Sequence, residues 1–107
     1  MQDIEIWERS PSYLAVIFLL TADEVLWNIS ENAVCLNGFD FSQIHLRQIS
    51  TEGYALYQTA KTISTGKEYI RISEIADKDL IDDTAFKIII NASLIAKYGA
   101  DVFSIKK

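Results

Sequence analysis

From Tyr13 to Leu20 every residue is apolar or aromatic. A helix with no polar face must be covered by other elements on most sides. Ser10 is a good N-cap, and Pro11 suits a first turn, where the missing N–H leaves no intrahelical bond unmade. The pattern therefore predicts a central helix over about 11–28, with Asp23 and Glu24 exposed near its end and Trp27 in the core. Ser50 caps a second helix over 51–65. Its Leu56, Tyr57, Ala60 and Ile63 form an apolar stripe at helical spacing, and Gly66 closes it. Asp82 and Asp83 precede a third helix over 83–98, where negative charge complements the positive end of the helix dipole. Ala85, Ile88, Ala92 and Ile95 share one stripe there, widened by Phe86, Ile89, Ile90 and Ser93. This helix too is expected to be well buried, its small residues Ala85, Ala92, Ser93 and Ala96 allowing close approach to the central helix before Gly99 ends it.

Between these helices the pattern is weaker. Ser73 caps a short helical turn over 74–79, and 67–72 alternates enough for a brief strand or an extended connection. Asn37-Gly38 is a preferred pair for a two-residue hairpin turn, which would set Leu36 opposite Phe39 and Val34 opposite Phe41. Equally, Asp40 could cap a helix carrying Phe41, Ile44 and Ile49, and both readings stay open. Ile4 and Ile6 alternate with Asp3 and Glu5, as in an edge strand or an arm on the core. The tail, 101–107, ends in a short strand through Val102, Phe103 and Ile105 or frays. The fold class is thus mainly α, a small helical bundle of three main helices in a single domain over 1–107, with a short β-hairpin on one of the two readings.

Composition narrows the class. The 107 residues are 50% hydrophobic with four glycines and one proline, which argues for a packed globule and against disorder. Cys35 is the lone cysteine, which rules out an internal disulfide and reads as a small buried apolar residue. The apolar run is shorter than the roughly 20 residues that span a bilayer, and the segment before it is acidic where a secretory signal would be basic. A cytoplasmic protein is expected, without a membrane partner.

Net charge is −5, and the acid is concentrated in residues 1–60, where Arg9 and Arg47 are the only bases. Nucleic-acid binding rests on Lys and Arg, so this balance points away from nucleic acid and toward a basic protein. Two acidic clusters stand out. Glu5, Glu8, Asp23 and Glu24, with Trp7 as an aromatic anchor, form one candidate partner-binding patch. The other comprises Asp77, Asp79, Asp82 and Asp83, with Glu74 close by. Its superficial likeness to a calcium loop fails at Leu80 and Ile81 and at the sixth place, which holds Asp82 instead of Gly.

Catalytic chemistry finds no support. His45 is the sole histidine, so no His-based metal pair or triad can be assembled, and it reads as a surface or cap residue. No nucleophile elbow, Gly-rich phosphate loop or Walker lysine occurs. No catalytic residue, metal site or cofactor is assigned, and the protein is not expected to be an enzyme. The stretch from Tyr69 through the last helix has the rhythm of a helix-turn-helix, but Asp82 and Asp83 would repel phosphates where such a motif presents basic or amide side chains to bases.

In size, acidity and helical pattern the chain resembles the small acidic helical immunity proteins of bacterial toxin systems, including those that neutralise contact-dependent-growth-inhibition nucleases. The resemblance carries over no individual residue. It implies an immunity protein whose acidic side chains replace nucleic-acid phosphates in the cationic cleft of a toxin nuclease. The alternative function is a helix-turn-helix transcriptional regulator, dimeric through the apolar C-terminal helix. Partner identity and oligomeric state are left open by the sequence.

Overall fold

In the computed structural model of the chain, residues 10–35, 38–46 and 48–99 are described. The segments expected as an N-terminal arm or strand and as a C-terminal strand lie outside these residues, as do Leu36 and Asn37. The first described residue already sets the fold: Ser10 Oγ accepts the Tyr13 N–H at 3.1 Å and Pro11 enters the first turn of α1, Pro11–Thr21. Ala15, Val16, Leu19 and Leu20 of α1 are fully buried. They are covered because α1 packs against both later long helices, which also touch each other. Three main helices and a short antiparallel hairpin make up this mainly helical molecule.

The central helix is broken where a single one was expected. α1 ends at Thr21, whose hydroxyl donates to the Ile17 carbonyl at 2.7 Å, and Asp23 takes an extended conformation (φ −129°, ψ 123°). Its carboxylate then accepts the Leu26 N–H at 2.9 Å and caps α2, Glu24–Ser30. The chain turns by 120° at this break. A side chain that bonds its own backbone three residues on offers the chain an alternative to continuing the helix, and burial of Leu26 on the core rewards the turn. Trp27, expected inside, is half-buried and packs against the edge of the core. Among the described residues no single helix is long and apolar enough to cross a membrane.

A 3₁₀ turn, Glu31–Ala33, leads into the hairpin of β1, Val34–Cys35, and β2, Gly38–Phe39. Val34 pairs with Phe39 and Cys35 with Gly38, two residues out of the expected pairing. The cause lies in tertiary packing. The Asp40 N–H donates to the Ala33 carbonyl at 2.9 Å, and Asp40 then caps a second 3₁₀ turn, Phe41–Gln43. That turn takes Phe41 out of the strand and sets its ring edge-on to Tyr57, 6.0 Å between centroids. Both open readings of this stretch therefore hold in part, a hairpin and an Asp40-capped turn. Tyr13 ties the hairpin to α1 through its hydroxyl, which donates to the Cys35 carbonyl at 3.2 Å, and through its ring, 4.9 Å from Phe39. Cys35 itself is exposed, not buried, because the paired strand is too short to carry both faces into the core.

α3, Thr51–Thr65, matches the expected helix. Ser50 Oγ accepts the Gly53 N–H at 2.9 Å, and Gly66, at φ 78°, closes the helix in the left-handed region. Residues 67–71 form no strand. Tyr69 N–H donates to Thr62 Oγ1 at 2.9 Å and Gln58 Nε2 to the Tyr69 carbonyl at 3.2 Å, so α3 side chains take the bonds a strand partner would take. The next helical turn, α4, is Ile72–Ile75, shorter and earlier than expected. Glu74 reaches back to the Arg71 N–H at 2.7 Å and starts the turn there, while Asp77 accepts the Asp79 N–H at 2.9 Å and ends it.

α5, Asp83–Tyr98, again matches the expected span, with Asp82 accepting the Ala85 N–H at 2.9 Å. Its small buried residues Ala85 and Ala92 lie on the face turned to the bundle, where α1 is its main neighbour. Only that face is covered. Phe86 and Ile90, expected to widen the buried stripe, are exposed together with Leu94, because among the described residues no fourth long helix covers α5 from outside.

Candidate functional site

Three helices begin at one place. Asp23, Ser50 and Asp82, the N-caps of α2, α3 and α5, line a single open groove of about 290 Å³. Its other lining residues are Ala22, Glu52, Leu56, Thr84, Ala85 and Ile88. Leu56 and Ala85 are buried, so the floor is apolar, and the rim carries the carboxylates of Asp23, Glu52 and Asp82. Among the described residues, no lysine, arginine or histidine lines it.

Local chemistry explains why the carboxylates sit there. Each orphan N–H at a helix start favours an acceptor side chain, and the positive dipole end favours negative charge. Asp23 and Asp82 serve α2 and α5 in this way, and Glu52 stands in the first turn of α3. Glu24 and Asp83, the first helical residues after their caps, are exposed. The helix ends offset part of the negative charge. What remains is a cluster of carboxylates over an apolar floor, suited to an ammonium or guanidinium group with an aliphatic stem.

The expected site residues divide accordingly. Asp23 and Asp82, from the two separate sequence clusters, meet in this groove, with Glu24 and Asp83 next to them in sequence. Asp77 and Asp79 do not line it: they lie exposed in the connection between α4 and α5, bonded to each other through the Asp79 N–H. Glu5, Trp7 and Glu8 lie outside the described residues. Glu52 was missed by sequence reasoning. Its signal was present, an acid two residues after the Ser50 cap, but nothing local says that three helix starts converge. His45 is exposed, and among the described residues no group of three or more His, Cys, Asp or Glu side chains is placed to hold a metal ion.

Compared with known proteins, the chain matches no family model, no curated protein and no solved structure.

A second, smaller hollow of about 140 Å³ lies between α3 and the 69–80 connection, lined in part by Tyr54, Gln58, Tyr69 and Leu80. Its polar groups are already engaged: Gln58 Nε2 donates to both the Tyr54 hydroxyl and the Tyr69 carbonyl at 3.2 Å, and the Lys61 ammonium lies 4.5 Å from the Tyr69 ring centroid.

Proposed function

We infer that the protein is a small acidic binding protein that inhibits a basic protein partner, in the manner of an immunity protein blocking a toxin nuclease. One observation carries this reading: Asp23 and Asp82, far apart in the chain, line one groove together with Glu52 and, among the described residues, without a cation. Lysine or arginine side chains of the partner would lay their stems on Leu56, Ala85 and Ile88 and their charged heads against the rim. The Asp23 and Asp82 carboxylates are held in place by the backbone N–H groups they accept, so little of their side-chain entropy is lost when the partner arrives. The chain's net charge of −5 adds long-range attraction and speeds encounter. In a nuclease, the cleft so occupied is the one that binds phosphates.

The regulator reading has less support. α4 has four residues, and seven residues, 76–82, separate it from α5, whereas a helix-turn-helix joins two full helices by a turn of about three or four. The start of α5, which would face the bases, is the acidic one.

The test is a pull-down of tagged protein from extract of its source cells, at low and then moderate salt, read by mass spectrometry. A variant carrying Glu24→Lys and Glu52→Lys, two positions outside the capping bonds, is run in parallel. A basic protein retained by the parent at near-equal amount and lost by the variant supports the reading. Recovery of nucleic acid, of no partner, or of a partner indifferent to the variant contradicts it.

A further inference from the structure

The outward face of α5 is apolar and self-complementary in charge. Phe86, Ile90 and Leu94, four residues apart, are 39%, 42% and 36% exposed, and Tyr98 continues the row. At 100° per residue these side chains flank a line running through Asp83, Ile90 and Lys97, which are spaced by seven, opposite the buried line of Ala85, Ala92 and Ile95. An acid thus stands at the start of this face, a base at its end and an isoleucine midway. A two-fold axis through Ile90 reverses the helix direction and puts each end of the face on the other.

We propose that this face is the interface of an antiparallel homodimer, with Ile90 on the axis. Phe86 then lies opposite the partner's Leu94 and Asp83 opposite the partner's Lys97, each contact occurring twice as an isologous interface requires. Lys87 falls opposite the partner's Ser93, so no like charges meet. The Lys97 ammonium lies 5.4 Å from the Tyr98 ring centroid at the edge of this face. A parallel pairing would instead set Asp83 on Asp83 and Lys97 on Lys97. One 16-residue helix offers less than the roughly 800 Å² per partner of a standard interface, so association is weak and concentration-dependent. The acidic groove at the start of α5 is not consumed, since the face and the groove lie on different sides of the helix.

The full chain is measured by sedimentation equilibrium from micromolar to near-millimolar concentration. The expected result is a monomer–dimer equilibrium, weakened about tenfold or more by Asp83→Lys or Lys97→Asp alone, because each reversal breaks two pairs, and restored by the two together. Ile90→Glu, at an exposed position, abolishes the dimer while circular dichroism and melting stay those of the parent. In a Cys35→Ser background, Ile90→Cys gives a disulfide-linked dimer with oxidised glutathione. A monomer at the highest concentration, or a dimer indifferent to Ile90→Glu and to both single reversals, overturns the proposal; the first result would assign the face to another occupant, such as the chain's own terminal residues.

Discussion

Asp23 performs two roles that a pair of substitutions can separate. Its carboxylate accepts the Leu26 N–H at 2.9 Å, and it stands on the rim of the acidic groove. Asp23→Ala removes both bond and charge; Asp23→Asn keeps an acceptor of nearly equal capping strength and removes only the charge. Losing a cap costs about 1 kcal/mol, within a range of roughly 0.5–2. The upper part of that range applies here, because α2 has only seven residues, too few to hold helical structure alone, and it delivers fully buried Leu26 to the core. The Asn variant gives up a dipole interaction worth about 0.3–1 kcal/mol, offset by relief from Glu52 and Asp82. For a domain of this size about 1 kcal/mol corresponds to roughly 4–8 °C in melting temperature. Thermal unfolding should therefore show Asp23→Ala several degrees below the parent and Asp23→Asn within a degree or two of it, while both lose affinity for a basic partner. Equal destabilisation by the two, or none by alanine, would refute the capping argument and the origin of the groove with it.

Three further outcomes follow from single sites. Ser30 is fully buried with no partner for its hydroxyl, so Ser30→Ala should be neutral or stabilising by up to about 1 kcal/mol, read as the urea midpoint; a clear loss would mean the hydroxyl has a bond. Gly66→Ala forces a Cβ into φ 78°, and should lower stability by about 1 kcal/mol, although open space around it means no clash. The Ser42 hydroxyl, donating to Asp40, holds the Asp40 carboxyl below its ordinary value, against a smaller opposing effect of desolvation, with the Ser42 N–H and Gln43 amide adding to the lowering. Because the folded-state value is the depressed one, the stabilisation is present above the ordinary carboxylate value and is lost as pH falls through the lower one; a carbon-detected NMR titration should show Asp40 moving up toward the ordinary range in Ser42→Ala.

The parts of this fold that were legible in the sequence are those decided within four residues. Ser10, Ser50 and Asp82 each bond the backbone three positions on, and Gly66 and Gly99 take positive φ, so the start of α1 and both ends of α3 and α5 could be read directly. The break at Asp23 was hidden because Val25, Leu26 and Trp27 prolong the apolar run, although Asp23 with Leu26 three residues on is the same signature as the other caps. Register in the hairpin was settled by Phe41 finding Tyr57 on α3, a contact no local pattern encodes. On α5 periodicity picked the inner stripe of Ala85, Ile88, Ala92 and Ile95, but not its width, since apolar residues ring the helix almost completely and the number of neighbouring helices decides that Phe86 and Ile90 stay outside. The groove itself was legible only in pieces: the acids were visible, their convergence was not.

That convergence is the claim on which the functional reading stands, and hydrogen exchange of the protein with and without its captured partner tests it most directly. Binding at the groove predicts slowed exchange in the first turns of α2, α3 and α5 together, at residues 24–27, 52–55 and 83–86, with little change at the far ends of α3 and α5. Protection confined to 69–80, or to one helix start without the other two, would contradict it.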